Sequence, residues 1–297
     1  MNCPDCGSPR LNRLGRLPDV AFFAGRRLEQ PLPGGQLLRC AECDLRFRHP
    51  HLGSATYDRL YDNARVDTWT SGALRVDQRL VQAFVRAPTP DRRAPRVLDF
   101  GCYAGDFLAT LPAGVDKYGV EVNATAAARA ASRTGARVEP DLDRFAPELH
   151  FDLIVAMDVI EHVPSPRALM KRLLRRLAPG GRLVVTTGDG GNWLWRLLGS
   201  RWWYCYFPEH IAFVSRRWLY HHAPALHASV QQASTFNYLD ERERPRLVRG
   251  WKELLRYWLN PARHAQRQRR HEAEHGSDLG VPGIGLTRDH LLLVLGT

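Results

Sequence analysis

Residues 96–108 join a short apolar segment to a glycine-rich turn. The segment 96–100 is apolar and β-branched and ends at Gly101, which predicts a buried strand. Gly101 and Gly105 permit a tight turn and a close approach of the backbone to a ligand. Asp106 can cap a following helix. A strand, a glycine turn and a helix predict an α/β protein with a nucleotide-cofactor site, although ordinary strand-to-helix turns also contain glycine.

Residues 117–123 predict a second strand that ends near an acidic residue, Glu121. Such a carboxylate, about 20 residues after the glycine turn, can accept hydrogen bonds from the ribose hydroxyls of a nucleoside. The turn reads D-x-G-x-x-x-G, with Asp99 first, and lacks the pyrophosphate-binding G-x-G-x-x-G pattern. Asp99 repels a pyrophosphate and favours a cationic ligand.

These residues resemble the cofactor loop of class I S-adenosylmethionine-dependent methyltransferases. In that family the first acidic residue lies near the methionine amino group, and an acidic residue after the third strand meets the adenine. The resemblance gives that adenine position to Asp141, with Asp143 as the alternative, although both are also typical of solvated turns. The cofactor-binding residues that it implies are Asp99, Gly101, Tyr103, Gly105, Glu121, Asn123, Asp141, Met157 and Asp158.

Helices and strands alternate through the rest of the chain. We predict helices at 124–134 and 168–178, a stop at Pro179–Gly181, and strands at 136–139, 151–157, 182–187, 229–238 and 289–295. In the family the last two strands form an antiparallel edge. The expected fold is therefore a doubly wound, mostly parallel seven-stranded sheet at 96–297, with an insertion at about 240–286. Residues 51–95 are expected to be a helical linker over the cofactor, with helices at 57–61 and 74–85.

Two histidine motifs supply candidate catalytic residues. Residues 158–163 (D-x-I-E-H-V) resemble the segment after the fourth strand in small-molecule methyltransferases, including ubiquinone-pathway O-methyltransferases. Residues 207–210 resemble the Y-x-E-H segment of zinc-ribbon sugar C-methyltransferases, but Phe207 replaces the tyrosine. From this resemblance we predict His210 as the base, oriented by Glu209, with His162 as the second candidate. The alternative for each is a hydrogen-bonded loop histidine.

The aromatic run at 193–207 surrounds the second motif and predicts either a pocket wall or a lid packed on the core. Because Phe207 has no hydroxyl, any role of the family's tyrosine hydroxyl is either absent here or taken by Tyr204 or Tyr206. In the linker, Tyr61, Trp69 and Arg79 are candidates for ligand contact, although packing explains each of them as well.

Two C-x-x-C turns, Cys3/Cys6 and Cys40/Cys43, predict a structural zinc ribbon over residues 1–50. The interval between the turns is longer than usual and is expected to contain a hairpin. A disulfide is disfavoured in a cytoplasmic chain. Cys102 and Cys205 are expected to be buried as small apolar side chains.

The formal net charge of +11 permits a nucleic-acid or anionic partner, but the arginines are spread along the chain. No long apolar run or basic-then-apolar leader is present, which predicts a cytoplasmic protein without a membrane-spanning segment. The sequence does not indicate an oligomeric state.

The expected function is methyl transfer from S-adenosylmethionine to an oxygen or carbon atom of a small molecule, such as a sugar or a secondary metabolite. Two alternatives stay open. One is an RNA base methyltransferase, which the basic charge and the zinc motif permit. The other is a non-catalytic binding or scaffold protein with a degenerate core.

Overall fold

The structure, a computed structural model, describes residues 1–23, 26–62, 74–89, 93–205, 207–238, 252, 255, 259–275 and 288–297. The strands there are β1 (Leu11–Arg16), β2 (Val20–Phe23), β3 (Arg26–Leu32), β4 (Gln36–Cys40), β5 (Arg46–His49), β6 (Arg96–Phe100), β7 (Asp116–Val120), β8 (Arg137–Glu139), β9 (Phe151–Met157), β10 (Leu177–Gly188), β11 (Ala212–Phe213), β12 (Ser229–Phe236) and β13 (His290–Gly296). The α-helices there are α1 (Ser54–Asp62), α2 (Val76–Gln82), α3 (Ala124–Thr134), α4 (Pro166–Leu174), α5 (Leu194–Leu198), α6 (Arg216–Leu226) and α7 (Pro261–His275).

The central sheet has seven strands in the order β12-β13-β10-β9-β6-β7-β8. The five strands from β10 to β8 are parallel, whereas β13 and β12 are antiparallel. Residues 153–156 of β9 are fully buried, as a parallel strand covered on both faces requires. The predicted doubly wound sheet is confirmed, and the carboxyl ends of β6, β7, β9 and β10 lie along one edge.

The turn after β6 leads into a single 3₁₀ turn, Leu108–Thr110, so the predicted α-helix at Asp106 is wrong. Pro112 explains the difference, because a residue before proline is driven out of the helical conformation. Leu111 accordingly has an extended backbone, with φ −70° and ψ 138°. Phe107 and Leu108 are nevertheless buried.

Helix α3 has the predicted bounds, with Asn123 as N-cap and Gly135 as a left-handed C-cap. Helix α4 begins and ends earlier than the predicted 168–178, because Ser165 caps it and Pro166 takes its first position. The predicted stop, Pro179–Gly181, lies inside β10, whose pairing with β9 is irregular between Leu177 and Arg182.

A second sheet, in the order β1-β4-β5-β11, joins the N-terminal region to the core. Strand β11 lies just after His210 and pairs with β5 through Ala212 and Phe213. The buried guanidinium of Arg48 reinforces this junction by donating to the carbonyls of Cys205, at 2.9 Å, and Phe207, at 3.3 Å. The N-terminal sheet therefore holds the segment that carries His210 both before and after this residue. The division of the chain at residue 50 stays a prediction.

The linker contains α1 and α2, and α2 is shorter than the predicted 74–85. The described residues do not include Trp69, Tyr206 and much of the insertion expected at about 240–286. Among the helices of the described part, none is both long enough and apolar enough to cross a membrane.

Candidate active site

The glycine turn brings the backbone close to β9. Gly101 and Gly105 have φ values of +81° and +77°, and a Cβ on Gly101 would lie 2.6 Å from the side chain of Val159. The amides of Gly101 and Cys102 donate to the Val120 carbonyl at 2.8 and 3.0 Å. The turn is therefore fixed against the end of β7, and the first glycine is required for space as well as for its conformation.

Asp99 is buried beside this turn, at 2% exposure, and its Oδ1 has no hydrogen-bond partner among the described residues. Burial raises its pKa to about 8, an effect that the positive charge of Arg75 opposes. An unpartnered buried carboxyl oxygen is costly unless a ligand supplies a donor. The residue therefore fits the cationic ligand expected from the sequence.

Glu121 lies at the tip of the neighbouring strand and accepts from the amides of Tyr103, at 2.9 Å, and Asn123, at 2.8 Å. Burial raises its pKa, whereas these amides lower it. The side chain of Asn123 accepts from Ala126 at 2.9 Å and donates to the Tyr61 carbonyl at 3.1 Å. The carboxylate thus ties the glycine turn to the start of α3.

Arg75 lies just before α2 and was not among the residues predicted from the sequence. Its guanidinium pairs with Asp77 at 2.5 Å and with Asp158 at 3.2 Å, so the linker closes over the end of β9. Asp158 has a left-handed backbone, with φ +53°, and burial raises its pKa to about 7 against the effect of Arg75. Met157 precedes it and is buried. A basic residue at a predicted helix start, close to an acidic edge, was the available signal.

Asp141 lies after β8, as expected, but its carboxylate already accepts hydrogen bonds from Arg172 and from the Asp143 amide. Burial acts to raise its pKa, but these bonds and the charge of Arg172 together outweigh burial and hold the pKa below its usual value. Its contact with adenine stays a prediction.

His162 and His210 lie in contact, with ring centroids 4.9 Å apart at 78°. The two motifs, 48 positions apart by subtraction of their residue numbers, therefore meet in space. Nδ1 of His210 hydrogen-bonds to the Tyr204 carbonyl at 2.9 Å. A carbonyl can only accept, so this nitrogen carries a proton and Nε2 of the neutral ring carries the lone pair. Burial lowers the pKa of His210 well below its ordinary value, which keeps the ring neutral.

His162 makes a 2.7 Å hydrogen bond between its Nδ1 and the hydroxyl of Tyr61. Burial lowers its pKa to about 4. Of the linker residues predicted to contact ligand, Tyr61 therefore reaches the candidate site through its hydroxyl. The side chain of Arg79, another of these residues, donates to the Leu74 carbonyl.

The Tyr204 carbonyl, rather than the expected Glu209, orients the ring of His210 through Nδ1. Glu209 is 4% exposed, and its charge acts on Arg48, Tyr57 and Tyr61. Glu209 does not take this role because residues 207–210 form a tight turn. In this turn the His210 amide donates to the Phe207 carbonyl, and the imidazole folds back towards Tyr204.

Glu161 forms the floor of this region and is 1% exposed. Its two carboxylate oxygens accept from the hydroxyls of Tyr204 and, at 2.9 Å, Thr187. Tyr204 also accepts from the Gly188 amide at 3.1 Å. Glu161, His162 and His210 are spaced closely enough to hold a metal. Both oxygens of Glu161 already accept hydroxyl hydrogen bonds, so Glu161 acts here as the centre of a hydrogen-bonding network.

His290 was also not predicted. It opens β13 opposite Gly188 and is therefore at the carboxyl edge of β10. Its ring stacks on Tyr238 at 4.5 Å, and its Nδ1 lies 3.1 Å from Asp289. Burial lowers its pKa, but the bond and the charge of Asp289 outweigh burial and raise it. The predicted antiparallel last strand was the signal, because such a strand begins where its parallel neighbour ends.

The four N-terminal cysteines form a second candidate site. The Sγ atoms of Cys3 and Cys43 are 3.6 Å apart, those of Cys6 and Cys40 are 3.5 Å apart, and all four lie within 4.8 Å of one another. Four thiolates at about 2.3 Å from a tetrahedral zinc are separated by about 3.8 Å, so the set fits that ion. Cys102 and Cys205 are buried and unpaired, as expected.

Comparison with known proteins supports the same interpretation. Residues 73–225, more than half of the chain, match the family described as "Methyltransferase domain". The tocopherol O-methyltransferase of Arabidopsis thaliana is 28% identical over 123 residues, covering 38% of this chain and 35% of that protein. The ubiquinone biosynthesis O-methyltransferase of Bradyrhizobium diazoefficiens is 33% identical over 105 residues, covering 33% and 41%. The chain thus spans less than half the length of either relative.

Two solved structures match this chain at low similarity. The N-methyltransferase NodS of Bradyrhizobium japonicum, in complex with S-adenosyl-L-homocysteine, has a TM-score of 0.46 at 15% identity, covering 81% of this chain and 96% of that chain. A SAM-dependent methyltransferase of Geobacter sulfurreducens, in complex with the same ligand, has a TM-score of 0.46 at 18% identity, covering 79% and 97%.

Proposed function

Because the chain belongs to the class I S-adenosylmethionine-dependent methyltransferases, we propose that it transfers the methyl group of that cofactor to a small molecule. The carrying observation is the buried Asp99 oxygen that has no partner in the described structure, which lies beside a glycine turn and within the electrostatic reach of Glu121. The relatives named as tocopherol and ubiquinone O-methyltransferases support an oxygen acceptor. A carbon acceptor, and a sugar or other secondary metabolite as substrate, belong to the same proposal.

The proposed cofactor pocket is built from the loops at the carboxyl edge. Asp99 accepts a donor from the cationic end of the ligand, and Glu121 accepts from its ribose hydroxyls while holding the turn. The remaining wall consists of Gly101, Tyr103, Gly105, Asn123, Asp141, Met157 and Asp158. Arg75, at the start of α2, closes this side of the proposed pocket through its ion pair with Asp158.

When bound, S-adenosylmethionine supplies an activated methyl group on a sulfonium, so the step is an in-line displacement. Positioning in such a site contributes on the order of 7–11 kcal/mol of the acceleration. An alcohol or carbon acid must also lose a proton. His210 is the proposed acceptor of that proton, because its Nδ1–H is fixed on the Tyr204 carbonyl and Nε2 has the lone pair. His162 is the second candidate.

We also propose a structural zinc ion bound by Cys3, Cys6, Cys40 and Cys43. The knuckles are anchored on the core, since buried Asp5 accepts from Ser165 at 2.6 Å and from the Trp218 indole at 2.7 Å. Metal analysis of the purified protein should give about one zinc per chain. Cys43→Ser should remove it and Cys102→Ser should not; equal zinc content in both variants would refute this site.

Calorimetry with S-adenosylmethionine tests the cofactor site. Glu121→Ala should weaken the affinity by about tenfold or more, because ribose acceptors are lost. Glu139→Ala, at the tip of the next strand, is the matched control and should bind within about twofold of the parent. Failure of the folded parent to bind would instead favour the scaffold alternative.

The base is tested with isotopically labelled cofactor in cell extracts, because the label marks the methylated product whichever molecule accepts the methyl group. His210→Ala should lower turnover by about 100-fold or more while cofactor affinity stays unchanged. His162→Ala separates the two histidines. Parental turnover in the His210→Ala variant would dismiss this assignment.

The proposed partner is a small molecule in the cytoplasm, and nucleic acid is not part of the proposal. Salt-sensitive affinity for RNA, together with labelled bases in RNA, would replace the small-molecule acceptor. The oligomeric state is open to measurement by ultracentrifugation.

A further inference from the structure

A cavity of about 530 Å³ lies at the junction of the N-terminal sheet and the core. One wall comes from β4 and β5, with Arg39 and Arg46. The other wall comes from the loop after β10, from α5 and from the start of α6. The residues that line it lie outside the hydrogen-bonding network of Glu161, Tyr204 and His210, but a series of aromatic contacts leads from Trp195 in its wall to His210. The rings of Trp195 and Phe213 are 5.1 Å apart, those of Phe213 and Tyr204 are 5.9 Å apart, and Tyr204 packs on His210 at 4.2 Å.

The lining of this cavity is strongly cationic. Five arginines face two carboxylates, and the arginines are Arg39, Arg46, Arg196, Arg216 and Arg217. Arg39 and Arg46 share Asp44, at 2.6 and 3.3 Å. Arg196, Arg216 and Arg217 are exposed, and none of the described carboxylates lies within salt-bridge distance of them. A surplus of positive charge therefore remains in the cavity.

Arg46 gives the cavity a fixed donor. It is 7% exposed, and its Nε has no hydrogen-bond partner among the residues described. The guanidinium is held 5.6 Å over the Trp195 ring, so it cannot swing freely to water. A buried donor of this kind costs free energy unless a ligand accepts its hydrogen bond.

The start of α6 adds a second source of positive potential on the opposite wall. Ser215 caps this 11-residue helix, accepting from the Trp218 amide at 3.1 Å, and its hydroxyl donates to Asp44 at 2.6 Å. The first turn of α6 therefore lies close to the wall formed by β4 and β5, and its backbone amides favour an anion there.

We propose that this cavity binds a small molecule through a multiply charged phosphate group. Guanidinium groups match phosphate oxygens in geometry and charge, and arginines from both walls can reach one ligand. The size of the cavity favours a diphosphate-sized ligand over an extended polymer. Asp189 opposes binding from within the lining, because its buried carboxylate accepts from Gly191 at 2.8 Å and adds negative charge.

Calorimetry with inorganic pyrophosphate tests this site, and adenosine diphosphate in parallel shows whether an organic group adds contacts. The triple variant Arg196→Gln, Arg216→Gln, Arg217→Gln should weaken pyrophosphate binding by about tenfold or more. Its matched control carries the same charge change at exposed positions elsewhere, as Arg129→Gln, Arg144→Gln, Arg175→Gln, and should bind within about twofold of the parent.

Asp189→Asn provides a test of opposite sign. The amide keeps the acceptor for Gly191 but removes a negative charge, so pyrophosphate should bind several-fold more tightly. The proposal is overturned by absence of binding to the folded parent, by equal losses in both triple variants, or by RNA binding that the pocket variant alone abolishes. Binding of S-adenosylmethionine, measured on the same samples, should be unchanged in all variants; it separates failure here from failure of the proposed cofactor site.

Discussion

Asp99, on β6, and Glu161, in the 3₁₀ turn that follows the neighbouring β9, are buried to a similar degree, but their hydrogen-bonding capacity is satisfied differently. Asp99, near the end of β6, keeps an oxygen for which the described structure offers no partner, whereas both oxygens of Glu161, after β9, accept hydroxyl hydrogen bonds. Burial raises the pKa of both carboxyls. The remaining hydrogen-bonding capacity, rather than burial, therefore separates a carboxyl suited to a ligand from one that supports the site.

Removing the satisfied carboxyl should have the largest effect on stability. Glu161→Ala leaves the buried hydroxyls of Tyr204 and Thr187 without their acceptor, and we expect a loss of about 2–5 kcal/mol in the free energy of unfolding. Urea denaturation measures it, with the exposed Glu148→Ala as control. A change below about 0.5 kcal/mol would erase the contrast with Asp99.

Asp99→Asn should spare stability and impair binding. We expect S-adenosylmethionine to bind about tenfold or more weakly, because the amide cannot become an anion for the cationic ligand. Near pH 7 the free protein holds a proton on Asp99, since its pKa is raised to about 8. Binding of a cation should release that proton, so the parent's calorimetric enthalpy should depend on the buffer and the variant's should depend on it less.

The same carboxyl makes a signed prediction for stability. Its folded-state pKa is raised from 3.8 to about 8, so the folded protein holds more protons than the unfolded chain between those values. Stability of the parent should therefore fall as pH rises from about 4 to 8, and fall less in Asp99→Asn. Parallel curves of unfolding free energy for the two proteins would show that Asp99 ionises normally.

Tyr204→Phe tests the closed network more gently. It removes one donor to Glu161 and one acceptor for the Gly188 amide but leaves the backbone carbonyl that orients His210. We expect a loss of about 1–2 kcal/mol in stability. A double-mutant cycle with Glu161→Ala should show coupling above about 0.5 kcal/mol, and additive effects would mean that the two side chains do not act together.

The cofactor side was predictable because its determinants are local. Asp99 lies on β6, Gly101 follows that strand and Glu121 follows β7, and the geometry of a parallel sheet brings the ends of these two strands to one edge. The failed helix at Asp106 was also a local matter, since Pro112 was visible in the sequence.

The base side depends on contacts between distant segments. The bond between Tyr61 and His162 and the contact of Arg48 with Cys205 require the linker, the N-terminal sheet and the core to assemble. No periodicity reports such pairings. Sequence reasoning therefore selected both histidines but assigned the orientation of His210 to Glu209, its neighbour in the chain, instead of the Tyr204 carbonyl.

The Asp141 carboxyl is partly exposed, unlike those of Asp99 and Glu161, and its removal should have the smallest effect on stability and binding. Its side chain pairs with Arg172 at a partly exposed position, so Asp141→Ala should change the unfolding free energy by less than about 1 kcal/mol. If the Asp141 carboxylate also accepts from the adenine amino group, the variant should bind S-adenosylmethionine several-fold more weakly than the parent does. The parent should then bind S-adenosylmethionine more tightly than analogues that lack this amino group, and the variant should not distinguish them. Asp143→Ala tests the alternative adenine position on the same turn, since Asp143 also pairs with Arg172. Unchanged affinity in both variants would mean that Asp141 serves only in its pair with Arg172. Among these carboxyls, only one that is buried with an unpartnered oxygen, as Asp99 is, would then remain a candidate for ligand contact.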